Sequence, residues 1–242
     1  MKYKVVNRLF FRAAYSFSDL SQYYRHVVTQ LKYYADGIKA SGREREDEYK
    51  EKGREFDKQG QEQFERVFAE VWPRYFHNSF LTVACSQFEH EAKKLCAIIQ
   101  EEHKMPVSWD EMEGPTPVKT KSYLNLAGVV LKDDPPRIEL PPPDFKPTAV
   151  YDENRTVIST IWNELRCYYR VRNCIVHDSG LVEKARGSST LRKYVIEKGI
   201  LNEKESRPEI QLNEDFNVTV CDTMRKFFEK LMGAYYATPL PE

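Results

Sequence analysis

An arginine placed on an otherwise apolar helical stripe is the feature that most limits how this chain can fold. From Val157 to Val176, Ile158, Ile161, Leu165, Tyr168, Arg172 and Ile175 recur at spacings of three, four, three, four and three. Those steps keep about one side chain per turn on one face, so the stretch predicts a helix with a buried seam. Arg172 then stands where the pattern calls for a hydrophobe. Burying an unpaired charge is costly, so such a guanidinium needs an anion, a carboxylate or a partner chain. Asp178-Ser179-Gly180 follows at once and predicts a helix stop, with Gly180 available for the left-handed C-terminal conformation. His177 falls in the last turn, where the helix end attracts positive charge. Five residues turn an ideal helix by roughly 140°, so Arg172 and His177 do not share a face. Asn173 and His177, four apart, do. One helix alone does not close Arg and His around a single small ligand; a frayed helix end or a second copy of the helix does.

The run Arg172-Asn173-Cys174-Ile175-Val176-His177 at a helix end resembles the signature of the HEPN superfamily (higher eukaryotes and prokaryotes nucleotide-binding). That signature is an Arg, a gap of four to six residues and a His, often with Asn directly after the Arg. Phe88-Glu89-His90-Glu91 on an earlier apolar helix adds to the likeness, and the outline is similar to bacterial HEPN-domain proteins of the toxin and defence type. The resemblance implies an all-α fold, an antiparallel helical bundle in one domain over 1–242. It further implies a metal-independent, cofactor-free endoribonuclease that works as a homodimer, its two motifs meeting across the interface. RNA would be the substrate, and an antitoxin or defence-system protein a further partner.

Cleaving RNA without a metal needs three roles. A base takes the 2′-OH proton, an acid protonates the departing 5′-oxygen, and a cation steadies the charge on the crowded phosphate. Histidine suits the first two near neutral pH. Arginine suits the third, because its planar fork matches phosphate oxygens and stays charged. His177 is therefore the expected base or acid, Arg172 the clamp and Asn173 an orienting partner, giving 2′,3′-cyclic phosphate and 5′-OH ends. Arg166, Arg170, Lys184, Arg186 and Arg192 make the most basic neighbourhood in the chain and are the expected hold on the phosphate backbone. Glu89 is the expected supporting carboxylate, placed to pair with Arg172 or orient His177. The competing expectation is a non-catalytic helical module that dimerises, or binds a nucleotide or partner, through the same seam; in it Arg172 pairs with a carboxylate such as Glu89 and His177 caps its own helix.

Formal net charge is zero, so no global field draws in nucleic acid and any RNA site must be local. Five scattered cysteines, none in a C-x-x-C pair, predict reduced thiols packed in helices. Cys167, Cys174 and His177 lack the spacing of a structural zinc site. Cys174 beside His177 reads as packing rather than as a nucleophile. No phosphate-binding glycine loop, nucleophile elbow or zincin motif occurs. Arg8 and Arg12 interrupt the apolar run a signal peptide would need, and no stretch approaches eighteen apolar residues. A cytoplasmic protein without membrane association is expected.

Elsewhere the pattern predicts a helix from about Val5 to Ala40, its stripe including Leu20, Tyr24, Val27 and Leu31. Residues 43–58 are almost all charged, with Glu46/Lys50 and Glu48/Lys52 four apart, which predicts a solvated helix or an excursion. Pro73 suits the first turn of a helix reaching about His103 and would break one running through. Core helices are thus expected at about 73–103 and 155–178. A proline-rich connection over 105–152 joins them, with a short helix from Lys121 to Leu131 inside it. Ser188, Ser189 or Thr190 is expected to cap a short helix ending at Ile196. Ile200-Leu201 and Ile210-Gln211-Leu212 suit a small β-hairpin. Asn213 is expected to cap a last helix, 213–233, stopped by Gly233, with a loose tail from Tyr235.

Overall fold

The computed structural model describes residues 2–131, 161–185, 187–203 and 208–238. Seven α-helices run through these residues: α1 (Lys2–Glu51), α2 (Lys58–Arg66), α3 (Trp72–Glu102), α4 (Thr116–Leu126), α5 (Ile161–Asp178), α6 (Ser188–Glu197) and α7 (Glu214–Ala237). Two-residue strands β1 (Leu201–Asn202) and β2 (Glu209–Ile210) pair antiparallel, Leu201 opposite Ile210, and form the one small hairpin expected. The fold is all-α. No helix among the described residues is long and apolar enough to cross a membrane.

The chain divides into two compact units. The first comprises Met1–Ser18, Cys85–Val171 and Asp222–Glu242, the second Asp19–Ala84 and Arg172–Cys221. An aromatic cluster anchors the first. Phe88 packs on Phe227 and Phe228 with ring centroids 5.1 and 5.5 Å apart, Phe17 stacks on Phe228 at 5.8 Å, and Trp162 meets Phe227 edge-on at 4.9 Å. Each such side chain removed from water contributes about 1.5–3 kcal/mol, and the tilted ring pairs add to that. Some polar groups in this interior are partnered, while the Tyr123 hydroxyl, Trp162 Nε1 and His103 Nε2 are buried without a hydrogen-bond partner among the described residues. The Tyr169 hydroxyl donates to the Cys85 carbonyl at 2.8 Å, and Trp109 Nε1 donates to Thr120 Oγ1 at 3.1 Å.

A polar node organises the second unit. Tyr24 is fully buried, its ring packed between Phe76 and Phe80. Its hydroxyl shares a hydrogen bond with His77 Nδ1 at 2.6 Å and accepts from Asn217 Nδ2 at 3.1 Å. Asn217 also donates to the His77 carbonyl at 3.1 Å. Burial holds the Tyr24 phenol well above its ordinary value, so it remains a proton donor. Burial likewise lowers the His77 pKa, keeping the imidazole neutral and able to accept. Nearby, the Asn213 side chain accepts from the Phe216 backbone N–H at 2.8 Å, the expected cap of α7.

Several boundaries differ from expectation for identifiable reasons. α1 continues past Ala40 to Glu51, its charged end laced by the Lys50–Glu46 pair at 2.9 Å and by Lys52 with Glu48, both pairs visible in the spacing. Pro73 lies in the first turn of α3 without breaking the helical run. A π-helical turn, Val67–Val71, precedes it, and the Trp72 N–H reaches back to the Val67 carbonyl; the wider turn makes room for the proline ring. The short helix is Thr116–Leu126 rather than Lys121–Leu131. Pro117 starts it, and left-handed Gly128 follows it while the Val129 N–H closes back on the Leu124 carbonyl. Gly233 does not stop α7, because Ala234 and Tyr235 are buried beyond it and carry the helix to Ala237. Residues 132–160, which hold most of the proline-rich connection and the start expected for the motif helix, lie outside the described residues.

Because folding holds His77 neutral while the unfolded chain protonates it near its ordinary value, the unfolded state binds more protons as pH falls below about 6.5. Stability should therefore drop as pH falls through that value, and His77→Gln should flatten the drop, as read by urea unfolding across pH; an equal drop in both proteins would place its origin elsewhere. Asn213→Ala should cost about 1 kcal/mol in the same assay.

Candidate functional site

The buried face of α5 sets the rotation of the motif. Trp162, Leu165, Tyr168 and Tyr169 are buried along its first turns, and Val171 and Cys174 along its last. The centre of the apolar face thus drifts toward Val171 and Cys174, and Arg172 sits on its flank. Its guanidinium is half-buried rather than centred on the seam, a correction to the stripe read from spacing. Asn173, Val176 and His177 face outward.

Arg172 Nη1 donates to Asn173 Oδ1 at 2.8 Å, so the neighbour expected to orient the motif does hold the guanidinium. The inner nitrogen differs. Arg172 Nε is buried and meets no hydrogen-bond acceptor among the described residues. No carboxylate among them lies in ion-pair range of this arginine. A charged group in that state is what folding normally removes. A carboxylate partner for it is the role expected of Glu89.

Glu89 does not fill that role. It is exposed on α3 and accepts a hydrogen bond from Thr116 Oγ1 at 3.1 Å. Of the triplet, Glu91 is the buried carboxylate, held by Gln87 Nε2 at 2.9 Å, and spacing gave no sign of it. Cys174 is buried packing. Burial, reinforced by the Asp178 charge, pushes its thiol up to about 11, which disfavours a thiolate near neutral pH.

The helix ends as expected, with a refinement. Gly180 takes a positive φ of 78°, but Ser179 before it is also left-handed at 55°. The Gly180 N–H returns to the Cys174 carbonyl at 2.9 Å, and the Gly180 carbonyl accepts from the Ile210 N–H at 2.8 Å. The hairpin therefore pins the chain immediately after His177.

The expected basic residues divide between the two units. Arg166 and Arg170 belong to the first unit, Lys184 and Arg192 to the second with the motif. Lys184 is exposed, and Arg192 is exposed and pairs with Glu203 at 3.3 Å. Arg186 lies outside the described residues.

A feature that sequence reasoning missed opens beside the motif helix. An open cavity of about 650 Å³ within the second unit is walled by Ile175, Ser179 and Gly180 from the end of α5. Its other walls come from the π-helical turn, the start of α3 and the hairpin. No signal in the sequence joins these four segments. No family model, curated protein or solved structure matches the chain.

If the Arg172 guanidinium serves an external anion, its removal should not weaken the fold. Arg172→Met, similar in length and apolar, should leave urea stability unchanged or raise it, by analogy with apolar replacements of buried charges. A loss beyond about 2 kcal/mol would instead show a structural contact worth that much.

Proposed function

We propose that the chain is a metal-independent endoribonuclease of the HEPN type, with Arg172 as phosphate clamp, His177 as proton carrier and Asn173 as the group that orients the clamp. The observation that carries this reading is the half-buried Arg172, its guanidinium held by Asn173 at an exposed Nη1 and with no carboxylate in ion-pair range among the described residues. A phosphodiester suits the outer guanidinium nitrogens, with a charge that their hydrogen bonds match. His177 is exposed in the same last two turns, open to a 2′-hydroxyl or a leaving 5′-oxygen.

Transesterification follows from these groups. Removal of the 2′-OH proton lets that oxygen attack the adjacent phosphorus. The phosphorane charge rests against the guanidinium. The P–O5′ bond breaks as the leaving oxygen takes a proton, leaving a 2′,3′-cyclic phosphate and a 5′-OH. One imidazole does not serve as base and acid at the same instant on opposite sides of phosphorus, so a second copy of the motif completes the site. Val176, about half exposed between Asn173 and His177, gives that outward face an apolar centre for a homodimer to cover. Lys184, exposed in the same unit as the motif, would hold a neighbouring phosphate. The role would be that of a toxin or defence effector in the cytoplasm, restrained by an antitoxin or defence-system partner.

Purified protein should cleave total RNA in EDTA, and Arg172→Ala and His177→Ala should each lower the rate by about a hundredfold or more. Cyclic-phosphate ends identified by mass spectrometry and a dimer mass in solution complete the expectation. RNA left intact by wild type, or cut equally by the variants, would overturn the reading.

A further inference from the structure

We propose that the cavity beside the end of α5 is a nucleobase subsite for single-stranded RNA; the inference rests on the ribonuclease reading but takes its ligand class from the cavity. Its charged groups are largely paired among themselves: Arg74 Nη2 donates to Glu209 at 2.8 Å, and Arg66 Nε donates to Glu70 at 3.2 Å. A cavity whose charges are so cancelled favours neither a lone phosphate nor a cation. It suits a neutral, flat, polar group. Ile175 supplies apolar wall and Tyr75, 69% exposed, an aromatic face at the rim. Base stacking on such a face is worth enough to hold a nucleotide and tolerates any base.

A hydrogen bond adds to this hold. Asn78 also lines the cavity; its Oδ1 is buried without a hydrogen-bond partner among the described residues, and no group among them takes its amide hydrogens. A side-chain amide N–H donates to the ring-nitrogen or carbonyl acceptors that every base carries. The subsite is therefore expected to take any base.

A strand rather than a free nucleotide is indicated by what leads up to the rim. Phe64, Phe68 and Trp72 form a ladder on α2, the π-helical turn and α3, with ring centroids 5.0 and 4.6 Å apart. Phe64 and Trp72 are each about half exposed, and Tyr75 continues the run. Neighbouring bases of one strand have aromatic surface to follow, ending where Ser179 closes the motif helix.

The test uses 2′-O-methyl hexanucleotides of A, G, C and U, which lack the attacking hydroxyl, titrated against the full chain and against His177→Ala. Both proteins should bind. Tyr75→Ala should weaken binding by about tenfold or more, while Tyr75→Phe retains it. Asn78→Ala should weaken binding of every hexanucleotide. Tyr75 is exposed, so its variants should fold, which circular dichroism checks. Binding that depends on Tyr75 in a protein that cuts no RNA would sink the ribonuclease reading and leave the subsite standing. Cleavage of RNA by a protein whose affinity ignores Tyr75 and Asn78 would overturn the subsite and leave the ribonuclease. Failure of every hexanucleotide to bind would also overturn the subsite.

Discussion

Everything near the motif follows from how α5 is rotated. Trp162, Leu165, Tyr168, Tyr169, Val171 and Cys174 are all buried, and each is worth about 1.5–3 kcal/mol when kept from water. Turning the helix by one residue would expose most of them together. The half-burial of one guanidinium is a smaller cost than that and does not decide the rotation. Arg172 is carried to the flank of the apolar face because its neighbours insist on theirs, and Asn173 and His177 are turned outward by the same rotation. The hairpin then fixes where the helix ends, through the bond from Ile210 to the Gly180 carbonyl.

Polar groups inside the protein divide into two kinds. Tyr24, His77 and Asn217 join in a node that ties three helices of the second unit together. Tyr169, Trp109 and Glu91 are likewise partnered. Arg172 Nε and Asn78 Oδ1 are of the other kind, as are Asn217 Oδ1, His103 Nε2, Trp162 Nε1 and the Tyr123 hydroxyl, all buried and without hydrogen-bond partners among the described residues. They are spread over both units, so they lower stability across the fold rather than mark the motif.

The helices were legible because their signals are local. Periodicity marked α1, α3, α5 and α7, the charged pairs Glu46/Lys50 and Glu48/Lys52 stood at helical spacing, and Asn213 announced the start of α7 as a cap. Pro73 marked the first turn of α3 as expected. At Gly233 burial outweighs a local breaker: it fails to end α7 since Tyr235 has an interior to enter. Glu89 and Glu91 show the same limit. Both sit by the apolar stripe in sequence, and which one is buried depends on the angle of the helix against its neighbours.

By itself the sequence determined that the chain is helical, that an Arg-Asn-x-x-x-His run closes one of its helices, and that a small hairpin follows, because these depend on spacings of a few residues. Tertiary structure decided that Arg172 is only half-buried, that Asn173 holds it, that Glu89 is occupied by Thr116, and that a cavity opens beside Ser179. The cavity depends on segments a hundred or more residues apart, such as Asn78 and Gly180, the burial of Arg172 on how its helix packs, and no local spacing encodes which segments will meet.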